Sequence, residues 1–311
     1  MKKINAILLA FLAVSSVTTA QQFPNRALSL MNPFQDHPAA AGVAGCLDLH
    51  MGFRNQWSGI EGAPSTQYAN LHGQSQGMGE DFHGFGVRVE SDEAGAWGYN
   101  AVNFSYAYNL RLSRGGRLAA GLSAGFFQQR LDMSDLIMPD LQVANDPAVY
   151  GNQQFIVPMI DASLWYYERD RYAGMTVQNV TQASMEQISQ YGKLRRQLVV
   201  LGGMEVEMDG RWMFRPSVQA RLGSAVPPSA EFLGLFRYDE VVGFGLGYRS
   251  QSALIFAAQA KILDYLSLGY AYELNVSPLS GGAPGSHELV IGINACSAQP
   301  RGRGIPCPAY D

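Results

Sequence analysis

The sequence predicts an all-β fold: a transmembrane antiparallel β-barrel of about fourteen strands, with short periplasmic turns, longer extracellular loops and a C-terminal tail. Three observations predict it. Segments of about ten residues alternate apolar and polar side chains with a period of two, and successive residues of a strand face opposite sides. Charged residues make up 15% of the chain, below the roughly 25% of ordinary globular proteins, while glycine (34 residues) and aromatics (11%) are plentiful. The connections tend to alternate between tight and long, which a β-sandwich has no reason to do.

The first residues point to export. Lys2-Lys3 is a positive n-region, Ile4 to Val14 an apolar h-region, and small residues run to Thr18-Thr19-Ala20. Residues 1–20 therefore read as a secretory signal peptide cleaved before Gln21. The apolar run is shorter than the roughly 20 residues a spanning helix needs, and no Cys follows the cleavage site to carry a lipid anchor. Residues 21–42 read as a periplasmic lead-in. No later segment is long and apolar enough to span as a helix, which leaves a soluble exported protein or a barrel. The mean hydropathy of −0.06 suits alternation rather than clustering of apolar residues. A sequence pI near 5.7 gives no reason to expect nucleic acid as a partner.

The barrel is assigned to residues 43–295. Its clearest strand is Trp212 to Leu222, where Phe214, Val218, Ala220 and Leu222 share one face and Arg215, Ser217, Gln219 and Arg221 the other. Asp264 to Asn275 and His287 to Ala295 alternate in the same way. Further strands start near Val43, Thr66, His83, Trp97, Leu118, Phe155, Tyr172, Gln197, Ala230, Val241 and Ala253, and an even total suits a bacterial barrel. With a periplasmic amino terminus, every second turn is periplasmic and should be short. Arg114-Gly115-Gly116, Glu168-Arg169-Asp170, Asp209-Gly210, Asp239-Glu240 and Leu263-Asp264 are tight, whereas 54–63, 129–154, 181–196, 223–229 and 276–285 are longer. The segment 74–81 is a longer exception, and 91–95 and 250–252 are shorter ones. Trp57, Trp97, Tyr99, Tyr106, Tyr108, Trp165, Tyr166, Tyr167, Trp212, Tyr248 and Tyr265 are placed to form interfacial girdles, with roughly a third of them expected to turn into the lumen.

Several short motifs carry a family likeness. Asn32-Pro33 is followed by Pro38-Ala39-Ala40-Ala41-Gly42, then Arg54-Asn55-Gln56-Trp57-Ser58-Gly59, then Pro64-Ser65-Thr66. Later come His83-Gly84-Phe85-Gly86, Tyr106-Ala107-Tyr108, Leu266-Ser267-Leu268-Gly269-Tyr270-Ala271-Tyr272 and Gly285-Ser286-His287-Glu288. Together they resemble the PorP/SprF family of Bacteroidetes outer-membrane proteins. The tail Cys307-Pro308-Ala309-Tyr310 is similar to that family's Cys-Pro-aromatic ending, with Ala309 interposed. The resemblance implies an outer-membrane component of type IX secretion or gliding. It would dock periplasmic ring or motor proteins and deliver or anchor secreted surface adhesins, through an adhesin or its C-terminal domain. Asn32, Pro33, Pro38, Gly42, Arg54, Gln56, Trp57, Gly59, Pro64, His287, Glu288, Arg301, Arg303, Cys307 and Pro308 are the family-motif and candidate partner-contact residues. Outer-membrane lipids would surround the barrel.

The chain offers no reaction chemistry. The five histidines are scattered and none has zinc-ligand spacing, His72 and His83 being the one pair that flanks a turn. Gly243-Phe244-Gly245-Leu246-Gly247 lacks the following helix that a nucleotide fingerprint needs. Ser286 and His287 are neighbours on a strand and so point to opposite faces, and Ser65 lies in no nucleophile elbow. The acidic residues Asp132, Asp135, Asp140 and Asp146 lack calcium-loop spacing, and the stretch carries Leu136, Ile137, Met138, Leu141 and Val143. That apolar patch reads as a plug or lid folded over the barrel, or as a partner site. No enzyme activity, metal or cofactor is expected. Arg54, Gln56 and Trp57 fall at the outer end of the first strand, either as a binding hot spot or as rim and girdle residues. Residues 296–311 form a periplasmic tail in which Arg301 and Arg303 suit docking. Cys296 and Cys307 lie close enough in sequence to pair in an oxidising compartment, the alternative being three unpaired cysteines. A passive or selective porin is the alternative function, and it should have an open, charge-lined lumen.

Overall fold

The computed structural model describes residues 24–76, 80–112, 115–132, 153–185, 192–223, 227–277, 285–295 and Cys307. The strands are β1 (Asp48–Asn55), β2 (Ser65–Gln76), β3 (Phe82–Ala94), β4 (Trp97–Arg111), β5 (Gly116–Leu131), β6 (Gln153–Glu168), β7 (Arg171–Gln178) and β8 (Gln197–Met204). They continue as β9 (Val206–Asp209), β10 (Trp212–Gly223), β11 (Ser229–Tyr238), β12 (Val242–Arg249), β13 (Ala253–Leu263), β14 (Leu266–Asn275) and β15 (Ser286–Asn294). All pair antiparallel, and all but β8 and β9 pair with both sequence neighbours or, at β1 and β15, with each other. β8 and β9 are two parts of one stave interrupted at Glu205, and both pair with β10. The wall therefore has fourteen staves. It closes where β1 pairs with β15, with Asp48 opposite Asn294 and Asn55 opposite His287.

The period-two pattern sorts the side chains as a membrane requires. Along β4, Ala101, Asn103, Ser105, Ala107 and Asn109 are buried in the lumen, while Val102, Phe104, Tyr106, Tyr108 and Leu110 are exposed on the outside. An apolar outer face costs nothing against lipid, and closing the sheet on itself lets neighbouring strands satisfy each other's backbone groups. Toward one end the outer face turns polar: Ser91 donates to Asn100, Asn100 to Gln128 and Gln128 to Gln154, at 2.8–3.2 Å, in a rung across β3–β6. Of the expected girdle aromatics, Tyr106, Tyr108, Trp212 and Tyr248 do face out, while Trp97 and Tyr265 are exposed at strand ends, Trp97 on the lumen-facing side of β4. Tyr99, Trp165 and Tyr167 are buried inside.

One end of the barrel carries the turns 77–81, 112–115, 169–170, 210–211, 239–241 and 264–265. The other carries the connections 56–64, 95–96, 132–152, 179–196, 224–228, 250–252 and 276–285. The asymmetry has the expected phase and the expected exceptions. Residues 133–152, which hold most of the expected plug or lid, lie outside the described residues.

The plug is elsewhere. Residues 24–42, expected as a periplasmic lead-in, fold inside the barrel, and the first strand begins at Asp48 rather than Val43. Three short 3-10 turns, Ser29–Met31, Pro33–Gln35 and Pro38–Ala40, shape this segment. Proline opens two of them, where its fixed φ is suited and its missing N–H is not needed. The physical reason for the correction is burial: Arg26 to Ser29, and Asn32 to Val43 without a break, have their side chains or backbone packed away from solvent. An untethered lead-in would have no such cover.

Candidate functional site

The lumen and the segment that fills it form the candidate site. In the half nearer the long loops the contacts are ionic. Arg26 pairs with Asp36 within the segment and with Glu90 on β3 at 2.5 Å. Asp36 pairs across the lumen with Arg221 on β10 at 2.6 Å. Gln35 donates to Glu90 at 3.0 Å and accepts from Asn70 at 2.8 Å, while its carbonyl accepts from Arg88, which also pairs with Asp161 at 2.9 Å. On the other side, Glu288 of β15 accepts from the Ala27 N–H at 2.6 Å and from the Tyr68 hydroxyl at 2.9 Å. Arg54 links Glu288 to Glu273, and Arg249 links Glu273 to Glu231. Such charges are tolerable out of water only because each is matched.

Nearer the short turns the contacts are apolar and close. Phe34, Ala39, Ala40, Ala41 and Val43 pack with Ala107, Ala119, Trp165, Tyr167, Tyr172 and Leu201. Trp165 and Tyr172 stack with ring centroids 5.6 Å apart. Two wall glycines admit the segment: a β-carbon on Gly84 would run into the Ala41 carbonyl, and one on Gly121 would meet the Ala39 backbone. His37 bonds Thr176 at 2.7 Å. The Gly42 N–H donates to His72 Nδ1 at 3.2 Å, and His72 Nε2 stands 3.2 Å from Asp48. Across the lumen, Ala27 and Leu28 join Tyr68, Leu233, Ile255, Ala271 and Val290 in a second apolar cluster.

The family-motif residues gather on this plug and its holders. Asn32, Pro33 and Pro38 are buried in the segment, and Gly42 turns it out with φ +77°. Arg54 lies at the long-loop end of β1 as expected, but its guanidinium points inward, 2% exposed, onto Glu273 and Glu288. Glu288 is buried beside it, whereas His287 faces out and bonds Tyr270 at 2.7 Å. Gln56, Trp57, Gly59 and Pro64 build one corner of the mouth: the Gln56 N–H donates to the Pro64 carbonyl at 2.9 Å, and the Trp57 N–H to the Ser286 hydroxyl at 3.2 Å. Trp57 and Gly59 both take positive φ there. His72 and His83, expected as a pair flanking a turn, point apart, His72 inward and His83 outward onto Tyr106. Among the described residues no group of three or more His, Cys, Asp or Glu is placed to hold a metal ion.

The tail residues Arg301, Arg303 and Pro308 lie outside the described residues. Cys307 is buried with Trp165, Tyr167 and Tyr172. The disulfide expectation needs correction. Cys46 is disulfide-bonded, and with three cysteines in the chain that bond excludes a Cys296–Cys307 pair. The β1–β15 register brings the end of β15 beside Cys46: the Ala295 N–H donates to the Leu47 carbonyl. Cys296 itself is outside the described residues.

Sequence reasoning missed the holders Arg26, Asp36, Arg88, Glu90, Asp161, Glu231 and Arg249. A signal existed: an ionised residue on the inner face of a strand needs a partner across the lumen, and an excess of such residues implies something inside to meet them. Asp36 and Arg26, in a stretch otherwise rich in Pro and Ala, were the clue on the plug.

No curated protein matches the chain. A solved structure of the TodX deltaS2S3 mutant monoaromatic hydrocarbon channel superposes with a TM-score of 0.47 at 9% identity, covering 88% of this chain and 94% of that one. The Pseudomonas putida toluene transporter TodX gives 0.46 at 10% identity, over 89% and 94%. A Rh. blastica porin mutant gives 0.35 at 8% identity, over 80% and 99%. Scores of this size carry no further argument. The family described as Type IX secretion system membrane protein PorP/SprF matches residues 18–293. The chain belongs to that family.

Proposed function

We propose that this protein is an outer-membrane docking component of type IX secretion whose lumen is sealed rather than conducting. The observation that carries the reading is the plug. Ion pairs and two apolar clusters hold residues 26–43 against the staves around the lumen, so the polar lumen of a porin is here filled by the chain itself. Its short-turn end is read as periplasmic, as in bacterial barrels generally, and its long-loop end as the cell surface. Periplasmic ring or motor proteins would meet the short turns and the tail. A secreted adhesin, or its C-terminal domain, would meet the loops around Trp57 and the connection 276–285. No step of this reading requires catalysis.

The test is affinity purification from native outer membranes, with residues 301–311 intact and then deleted. Tail-dependent recovery of type IX ring or motor proteins, or of a surface adhesin, supports docking from the periplasmic side. Recovery that survives the deletion moves the contact to the barrel. A protein that recovers no such partner and conducts ions steadily in planar bilayers is the porin instead.

A further inference from the structure

The amino-terminal segment does not enter and leave the barrel at the same end. Asn25 lines a cavity of about 180 Å³ with Pro227, Pro228, Ser250, Gln251 and Ser252, which belong to two connections of the long-loop end. At its far end the segment is tied to the short-turn end. The Gly45 carbonyl accepts from Gln74 at 2.9 Å, and the Leu47 carbonyl accepts from the Ala295 N–H, next to Asn294, at 2.9 Å. Gln74 stands near the short-turn end of β2, and Asn294 ends β15 there. Between these points the segment touches β2, β3, β6, β7, β10 and β15 through the contacts described above.

We infer that the segment threads the lumen from mouth to mouth, so that the amino terminus of the mature chain opens at the cell surface and not in the periplasm. The inference rests on the orientation proposed above. Length permits it: about twenty residues reach roughly 65 Å when extended, against an apolar band about 25 Å tall, and the three 3-10 turns and the excursion toward β14 take up the excess. A return path to the short-turn end would have to pass Leu28 and Ile255 and then Phe34 and Trp165, two packed clusters whose named residues are each at most 1% exposed. The two ends of the segment differ in kind. The short-turn end continues into β1 and carries the Cys46 disulfide, whereas the described contacts at the long-loop end are non-covalent. The plug can therefore be drawn only outward, and a partner that engages the amino terminus does so from outside the cell.

The test uses single cysteine substitutions in the full-length protein, labelled on intact and on permeabilised cells with a membrane-impermeant maleimide. Asn25→Cys reports the proposal, Glu61→Cys the long-loop end and Gly210→Cys the short-turn end, with the wild-type chain as background. Asn25→Cys is expected to label on intact cells, like Glu61→Cys, with no further rise on permeabilisation. If Asn25→Cys labels only after permeabilisation, or not at all, while Glu61→Cys labels on intact cells, the threaded path is wrong. If Glu61→Cys is protected and Gly210→Cys labels on intact cells, the orientation is reversed, and the amino terminus is not at the surface.

Discussion

The two halves of the plug are held by different physics. From Arg26 to Asp36 the ties that set the segment apart are charges, alongside the apolar contacts of Ala27, Leu28 and Phe34: Asp36 alone answers both Arg26 and Arg221. From Pro38 to Val43 it is fixed by shape, with Ala39 and Ala41 laid against wall glycines and a Trp–Tyr stack beside them. Charges fix direction and partner but lose heavily when one member is removed. Close apolar contact is less directional and tolerates little added volume. A segment held in both ways is anchored at its inner end and, in the ionic half, can be released by exchanging one set of partners for another.

The largest expected effect comes from breaking the ionic half. Asp36→Asn leaves Arg26 with one partner and Arg221 without its pair, and removal of one member of a buried pair costs about 3–5 kcal/mol. Thermal unfolding in detergent should fall accordingly, and ion conductance should appear in planar bilayers; an unchanged melting curve with a closed lumen would show that the pairs do not hold the plug. Next, Cys46→Ser removes the covalent tie at the short-turn end, with an expected loss of about 2–4 kcal/mol, and added reductant should then have no further effect on the variant.

The apolar half should respond less. Gly121→Val presses on the Ala39 backbone, and overpacking of this kind costs about 1–3 kcal/mol. If the halves are independent, Asp36→Asn and Gly121→Val should combine within about 0.5 kcal/mol of additivity; a larger deviation in the double mutant would mean that the plug moves as one body. The smallest effect belongs to the turn 77–81, outside the plug. Hydrogen bonds from the Arg111 N–H and the Tyr108 hydroxyl hold the Asp81 carboxyl below its ordinary range. Its contribution is therefore present above the ordinary carboxylate pKa and lost as the pH falls from there through the lowered folded-state value. Asp81→Asn should flatten that slight acid dependence of unfolding and leave the lumen closed.

Much of the wall was legible. Trp97, Gln197, Trp212 and Ala253 begin strands as the alternation predicts, because each reports its own burial through a period of two. Val43 did not, because a Pro- and Ala-rich approach to a strand looks the same locally whether it lies in water or in a lumen. Arg54 was placed at the right height, yet whether its guanidinium turns to a partner outside or to Glu273 and Glu288 inside depends on staves more than 200 residues away in sequence.

The sequence by itself determined the barrel, its nearly even rhythm of short and long connections, the two-faced alternation of its clearest strands and the family. These follow from local periodicity and short motifs, which need no knowledge of distant residues. Only the tertiary structure decided what fills the lumen, which charges meet across it, that Cys46 is bonded, and at which mouth the amino-terminal segment emerges. Closing fourteen staves brings residues from every part of the chain to one axis, and the side chains that meet there are neighbours only through that closure.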